Sequence, residues 1–381
     1  MRGRRVRRLQ LAGIAAALAV LLASCSSSPS SPSAGSKGSG HTTTTAAASA
    51  TTAPATPSTL APVATSGPLT PGAPIELPFS AGAVTAAESP DGAVFVSPQN
   101  PTSSAPTVTW VIDGNGPAEV AEHIPAGVAA LAADANNFYV ATYSNVFSFD
   151  RASGNPNGQW NMPTIKQTDA SDNDLVSLAA AGGSVLVTVA QVNTVLIYRV
   201  DPSSSASPHL ILTALSAAIG SDGTVYYESG DHHLDALHPD GTTTQGPVLA
   251  DKPNGLGGGV QDIVTVAGGY VWVSEPAGQG LDSGYTTYAT ASLAQAGTFS
   301  GSVTNIIADT AAGPLVLEQG ANGGTACPQG SSPTSCVFRI DQAGTTTDPV
   351  PVGAAVSLLG PGPAVVASDT STDQFELFRL S

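Results

Sequence analysis

Between Ala83 and Asp369 the chain repeats one pattern seven times: an apolar run, a turn built from Gly or Asp, and a second run rich in Val and Tyr. The copies are AVTAAESPDGAVFVS from Ala83, GVAALAADANNFYVAT from Gly127, LVSLAAAGGSVLVTV from Leu175 and ALSAAIGSDGTVYYES from Ala214, then DIVTVAGGYVWVSE from Asp262, SVTNIIADTAAGPLVLEQ from Ser302 and AVSLLGPGPAVVASD from Ala355. Their starts fall about 40–50 residues apart, which leaves room in each copy for two more strands. A third strand is visible where WVID ends at Asp113, FSFD at Asp150, YRVD at Asp201, DALH at His238 and FRID at Asp341. Aspartate there accepts hydrogen bonds from its own turn, a structural duty. In the fifth copy Ala294 of SLAQAGT takes that place.

Four short strands per unit, repeated seven times, predict an all-β fold, a seven-bladed β-propeller. The chain stops at Phe378-Arg379-Leu380-Ser381, which aligns with Phe338 to Asp341, so the last blade lacks its fourth strand. The run Pro74-Ile75-Glu76-Leu77-Pro78-Phe79 lies ahead of the first repeat with alternating apolar residues. It is predicted to supply the missing outer strand, closing the ring and removing an edge. Proline suits an outermost strand, where one side needs no ladder partner.

Composition agrees and narrows the partners. With 41 glycines, 30 prolines and 10% charged residues in 381, turns and short strands are expected, not long helices. The formal net charge is −16, and about −21 without the five arginines of the first eight residues. That argues against nucleic acid and against direct adhesion to anionic lipid. From Ser26 to Gly72 the chain is almost all Ser, Thr, Ala, Pro and Gly. With no apolar period to offset the entropy of ordering, it reads as a flexible tether spanning roughly 35–40 Å. Its Ser/Thr/Pro content also fits O-glycosylation.

The extreme N-terminus says where such a domain would work. Five arginines precede the apolar run LQLAGIAAALAVLL, too short to span a bilayer, as in a secretory signal peptide. Leu22-Ala23-Ser24-Cys25 resembles the lipobox of bacterial lipoproteins. The resemblance implies that Cys25 is diacylated, becomes the mature N-terminus and holds the protein to the outer face of the cell membrane. The expected organisation is therefore a signal peptide over 1–24, a lipidated tether over 25–72 and a propeller over 73–381. Cys327 and Cys336 then remain as an even pair in an oxidising compartment, spaced for a structural disulfide across a turn-rich loop.

The repeats are similar to those of bacterial YVTN, NHL and quinoprotein-type propellers over residues 74 to 381. The quinoprotein repeat has Asp-x-x-Thr-Gly-x-x-x-Trp. Here Asp150, Ser153 and Gly154 fit, Trp160 falls two residues late and no other blade has it, so no quinone cofactor is implied. In lactonase-like propellers a central metal is held by acids from several blades. Second-strand ends here supply Glu228, Glu275, Glu318 and Asp369, and Asp262 enters a blade on the same side, a set able to hold a divalent cation such as Ca²⁺. Trp272-Val273-Ser274-Glu275 also resembles a strand end of the streptogramin lyases. His232, His233 and His238 among Asp231, Asp235 and Asp240 suggest zinc, but strand alternation sends His232 and His233 to opposite faces. His238 takes the turn position that is Asp elsewhere.

The inner strands are mainly Ala, Val, Leu and Ser, a poor supply of acids, bases or nucleophiles. The chain thus reads as a monomeric binding or scaffolding module for a protein or cell-wall ligand, with no catalytic residue assigned. The rival is a metal-dependent hydrolase or lyase acting at the channel mouth.

Overall fold

The computed structural model describes residues 69–80, 83–99, 107–113, 117–124, 127–163, 175–191, 194–249, 263–275, 284–300, 306–310, 313–319, 335–340, 349–369 and 374–381. Within them lie 28 strands and no helix. Strand β1 (Ile75–Ser80) comes first. The first blade is β2 (Ala83–Glu88), β3 (Val94–Gln99), β4 (Thr107–Ile112) and β5 (Pro117–Ile124). The second is β6 (Ala130–Ala133), β7 (Asn137–Ala141), β8 (Asn145–Asp150) and β9 (Pro156–Asn161), and the third β10 (Leu175–Ala181), β11 (Ser184–Gln191), β12 (Thr194–Val200) and β13 (His209–Ala214). The fourth is β14 (Ser216–Ile219), β15 (Val225–Glu228), β16 (His233–Leu237) and β17 (Thr243–Val248). The fifth is β18 (Ile263–Ala267), β19 (Tyr270–Glu275), β20 (Gly284–Ala289) and β21 (Gln295–Ser300). The sixth is β22 (Ile306–Thr310), β23 (Gly313–Gln319), β24 (Ser335–Arg339) and β25 (Val350–Pro351), and the last β26 (Ala354–Leu359), β27 (Ala364–Asp369) and β28 (Gln374–Arg379).

Each blade is a four-stranded antiparallel sheet in chain order, and the last is β26-β27-β28-β1, as the sequence predicts. Strand β1 pairs β28 with Ile75 opposite Leu377. Ahead of it, Pro71 bridges Leu380, and Thr70 and Ser381 exchange backbone hydrogen bonds of 2.9 and 3.0 Å. Leu69, ahead of β1, is buried between the last two blades. The fourth strand of the final blade is contributed by the opposite end of the chain, so ring closure needs both termini.

Among the described residues the core falls into seven clusters, each built from two adjoining blades. That follows from strands buried on both faces: Val94, Phe95, Val96 and Ser97 of β3 are all buried, half facing the last blade and half the second. The outermost β17 is mostly exposed. Trp272 is core: fully buried, donating from Nε1 to the Ala267 carbonyl at 3.1 Å and meeting Tyr285 edge-on at 6.3 Å. Burying each such side chain is worth about 2–3 kcal/mol.

Antiparallel blades arranged in the same sense give the ring two distinct faces. Turns from first to second and from third to fourth strands fall on one, called here the lower. Turns from second to third strands, and the crossovers between blades, fall on the other, the upper.

Candidate functional site

The lower face is made of short turns whose carboxylates serve their own backbone. Asp150 Oδ1 accepts from the Ser153 amide at 2.8 Å and its hydroxyl at 2.7 Å, and Asp201 does the same with Ser203. These bonds hold both carboxyls below the usual carboxylate range. Asp240 accepts from the Thr242 amide at 2.9 Å. In the second blade Asp134 accepts from Asn136, Asn137 and the Tyr139 hydroxyl, each at 2.7 Å. The turn duty expected of Asp150 and Asp201 is observed, and Asp341 lies outside the described residues.

The lower face also carries ion pairs between blades. Arg151 of the second blade forms a bidentate pair with Asp91 of the first, one bond being 2.7 Å from its Nη1 to Oδ1. At the seam where the ring closes, Arg379 of β28 donates to Glu88 Oε1 at 3.0 Å and to the Ile112 carbonyl at 3.4 Å. The Glu88 side chain is wholly buried, and its Oε2 has no hydrogen-bond partner among the described residues. Desolvation pushes its carboxyl up to about 7 despite the opposing charge of Arg379. The seam leaves no spare room: a Cβ on Gly362 would stand 2.5 Å from Glu88 Oε1.

On the upper face the structure resolves part of the predicted acidic set. Glu228 ends β15 and Glu318 lies near the end of β23, both side chains buried, on the fourth and sixth blades. Glu275 and Asp369 end β19 and β27 as expected, though only their backbone is described. Asp262 lies outside the described residues. Among the described residues no three His, Cys, Asp or Glu side chains form a group able to hold a metal ion. Cys336 is buried in β24 opposite Glu318, and its expected partner Cys327 lies outside the described residues.

What the structure brings together instead is Glu228 and His232. His232 Nδ1 lies 2.6 Å from Glu228 Oε1, with the carboxylate side chain 2% exposed and the imidazole 37%. His233, one residue on, has other partners: its Nδ1 is 3.0 Å from the Gly246 carbonyl and its Nε2 3.9 Å from Asp231 Oδ2. His232 lies in the turn ahead of β16, which begins at His233, and the two imidazoles meet different partners. His238 Nε2 meets the Thr244 hydroxyl at 2.9 Å, away from both.

The Glu228–His232 contact escaped the sequence reading, which treated the histidines as turn and strand residues. A signal was present. Glu228-Ser229-Gly230-Asp231-His232 follows Glu88-Ser89-Pro90-Asp91-Gly92 with Gly in place of Pro and His in place of Gly. Both turns close alike. The amide of the fourth turn residue (Gly92, His232) bonds the serine carbonyl at 2.9 Å, and the serine hydroxyl reaches the aspartate at 2.6 and 2.7 Å.

Comparison with known proteins adds the fold alone. No protein-family model matches the sequence, and no functionally curated protein matches it either. Among solved structures, the WD40 domain of Toxoplasma gondii coronin is similar with a TM-score of 0.50 at 11% identity, over 78% of this chain and 80% of that one. A putative 6-phosphogluconolactonase from Bacteroides uniformis gives 0.45 at 15% identity, over 71% and 85%. PorZ, a surface component of the type-IX secretion system of Porphyromonas gingivalis, gives 0.45 at 13% identity; the match covers 79% of this chain but only 36% of PorZ.

Proposed function

We propose that this chain is a lipid-anchored extracytoplasmic lipoprotein whose propeller binds a protein or cell-wall ligand. The observation that carries this reading is the position of the N-terminal strand. β1 is the outer strand of the last blade, and Thr70 pairs with Ser381, so the first described residues lie beside the last strand of the closed ring. The upper face is the better candidate surface, since the lower one spends its carboxylates on its own turns and seams. Rigid scaffolds with variable loops on one side commonly bind through those loops.

Membrane fractionation of wild type and Cys25→Ala tests the anchor. The wild type is expected in the detergent-soluble membrane fraction and the variant in the soluble one; equal distribution overturns the anchor. Sedimentation with isolated cell-wall sacculi, and cross-linking in intact cells followed by mass spectrometry, test the ligand. Saturable capture of one wall polymer or one envelope protein is expected, and its absence in both assays overturns the binding reading. The same compartment would pair Cys327 with Cys336. Thiol titration of the denatured, unreduced Cys25→Ala chain is expected to find no free thiol.

A further inference from the structure

The outermost strand of each blade has one side that no other strand of its sheet covers. Most of these strands contain a residue that makes the open side a poor template. Proline occurs at Pro78 in β1, Pro117 in β5, Pro156 in β9, Pro247 in β17 and Pro351 in β25, and β21 contains Gly297. Proline removes a ladder donor, and glycine weakens a strand. The remaining outer strand, β13, has neither. It reads His209-Leu210-Ile211-Leu212-Thr213-Ala214, with no carboxylate, lysine or arginine.

Strand β13 is nonetheless firmly seated. It pairs with β12 from His209 opposite Arg199 to Ala214 opposite Val195, and Ile211 and Leu212 pack on the cluster shared with the fourth blade. Leu210 and Thr213 are exposed, Leu210 by 49%. A single exposed leucine is ordinary; a seated apolar strand with an open ladder is what a further strand adds to. The register of β13 slips once, between Ile197 and Tyr198 of β12. Slips also occur where β5, β9, β17 and β21 join their blades, so the bulge is not what sets β13 apart. The turn leading into it, Pro202-Ser203-Ser204-Ser205-Ala206-Ser207-Pro208, has no charge to hold another strand away.

Charge and symmetry say which strand fits. The chain has a net charge of −16, so a second copy brings carboxylates toward carboxylates over much of its surface. At β1, for example, the exposed Glu76 would face its like. At β13 no such pair arises. Laid antiparallel on its own copy about a twofold axis between Ile211 and Leu212, the strand sets Ile211 against Leu212, Leu210 against Thr213 and His209 against Ala214. Every row is apolar or free of like charge. We propose that β13 pairs with β13 of a second copy, in place of the monomer expected from the sequence, so that two four-stranded antiparallel blades become one continuous sheet across a twofold axis. A seam this short buries far less than the roughly 800 Å² per partner of a standard interface, so the dimer is weak and half formed at about 100 µM.

The pairing needs neither the anchor nor a wall ligand, so its failure would leave the binding reading intact. The test is sedimentation equilibrium of the Cys25→Ala chain, used so that no lipid can drive association. Its weight-average mass is expected to climb from that of a monomer toward that of a dimer between about 1 and about 500 µM. Amide exchange by NMR locates the seam. Exchange within His209–Ala214 should slow severalfold at the high concentration, while exchange within Thr243–Val248 of β17 keeps its rate. Leu210→Glu places a charge at an exposed site and should weaken association about tenfold with the urea midpoint unchanged. Thr213→Glu, equally exposed, serves if Leu210→Glu folds poorly. A chain that stays monomeric throughout, a dimer whose β13 exchange is unaltered, or one indifferent to both substitutions overturns the proposal. So does a monomer whose β13 exchange slows only in envelope extract, which gives the edge to another protein.

Discussion

Glu88 and Glu228 begin similar Glu-Ser-x-Asp turns on opposite faces of the ring, and their partners set them apart. Glu88 is followed by a turn ending in glycine, and a cation from a remote strand, Arg379, reaches it across the seam where the chain closes on itself. Glu228 is followed by the same turn ending in histidine, and the cation comes from the turn itself. The first pairing joins residues 291 apart and uses a group that never loses its charge, so it secures the ring. The second joins residues four apart and adds backbone cost, His232 standing at φ 64°. A buried carboxylate needs a partner in either place; ring closure supplies one, and the turn itself supplies the other.

The largest expected effect comes from removing the remote partner. Arg379→Ala strands Glu88 in the seam and should cost about 2–3 kcal/mol in urea unfolding at pH 8. This is less than for a fully buried pair because Arg379 is partly exposed. The loss should shrink at pH 5, where Glu88 can take up a proton; an equal loss at both pH values would show that the pair is not what holds the seam.

Next comes the pH dependence of Glu88 itself. Its folded value of about 7 lies above the ordinary 4.5, so its contribution is full below about 4.5 and is lost as pH rises through about 7. Wild-type stability should therefore decline across that window, by something on the order of 3 kcal/mol at most, and Glu88→Gln should flatten the decline. A Glu88→Gln profile that parallels the wild type would refute the assignment.

Exchanging the turn residues gives the two smaller effects. Gly92→His puts a side chain at φ 88° beside Glu88 and Arg379 and should lower stability by about 1–2 kcal/mol, since Arg379 already holds the carboxylate. His232→Gly should leave thermal stability at pH 8 within about 0.5 kcal/mol of wild type, the relieved backbone offsetting the lost hydrogen bond. A loss there of 2 kcal/mol or more would make the upper pair a structural fastening like the lower one and erase the contrast.

The legibility of this chain follows from distance along the sequence. The repeat period, the Asx turns at Asp150 and Asp201, the short supply of strands in the last blade and the run at Ile75 that completes it are all local patterns, set by alternation and turn chemistry within a few residues. The signal peptide and the lipobox at Cys25 are local too, and remain a reading of sequence alone.

What only the tertiary structure decided is which groups share a buried space. Nothing near Glu88 in the sequence announces Arg379, because ring closure alone brings the two ends of the fold together. For Glu228 the partner was adjacent, yet the pairing was not evident until two turns could be compared and one seen to hold histidine where the other holds glycine. Local pattern determines the strand and the turn; burial, and the charge that must compensate it, are properties of the assembled blades.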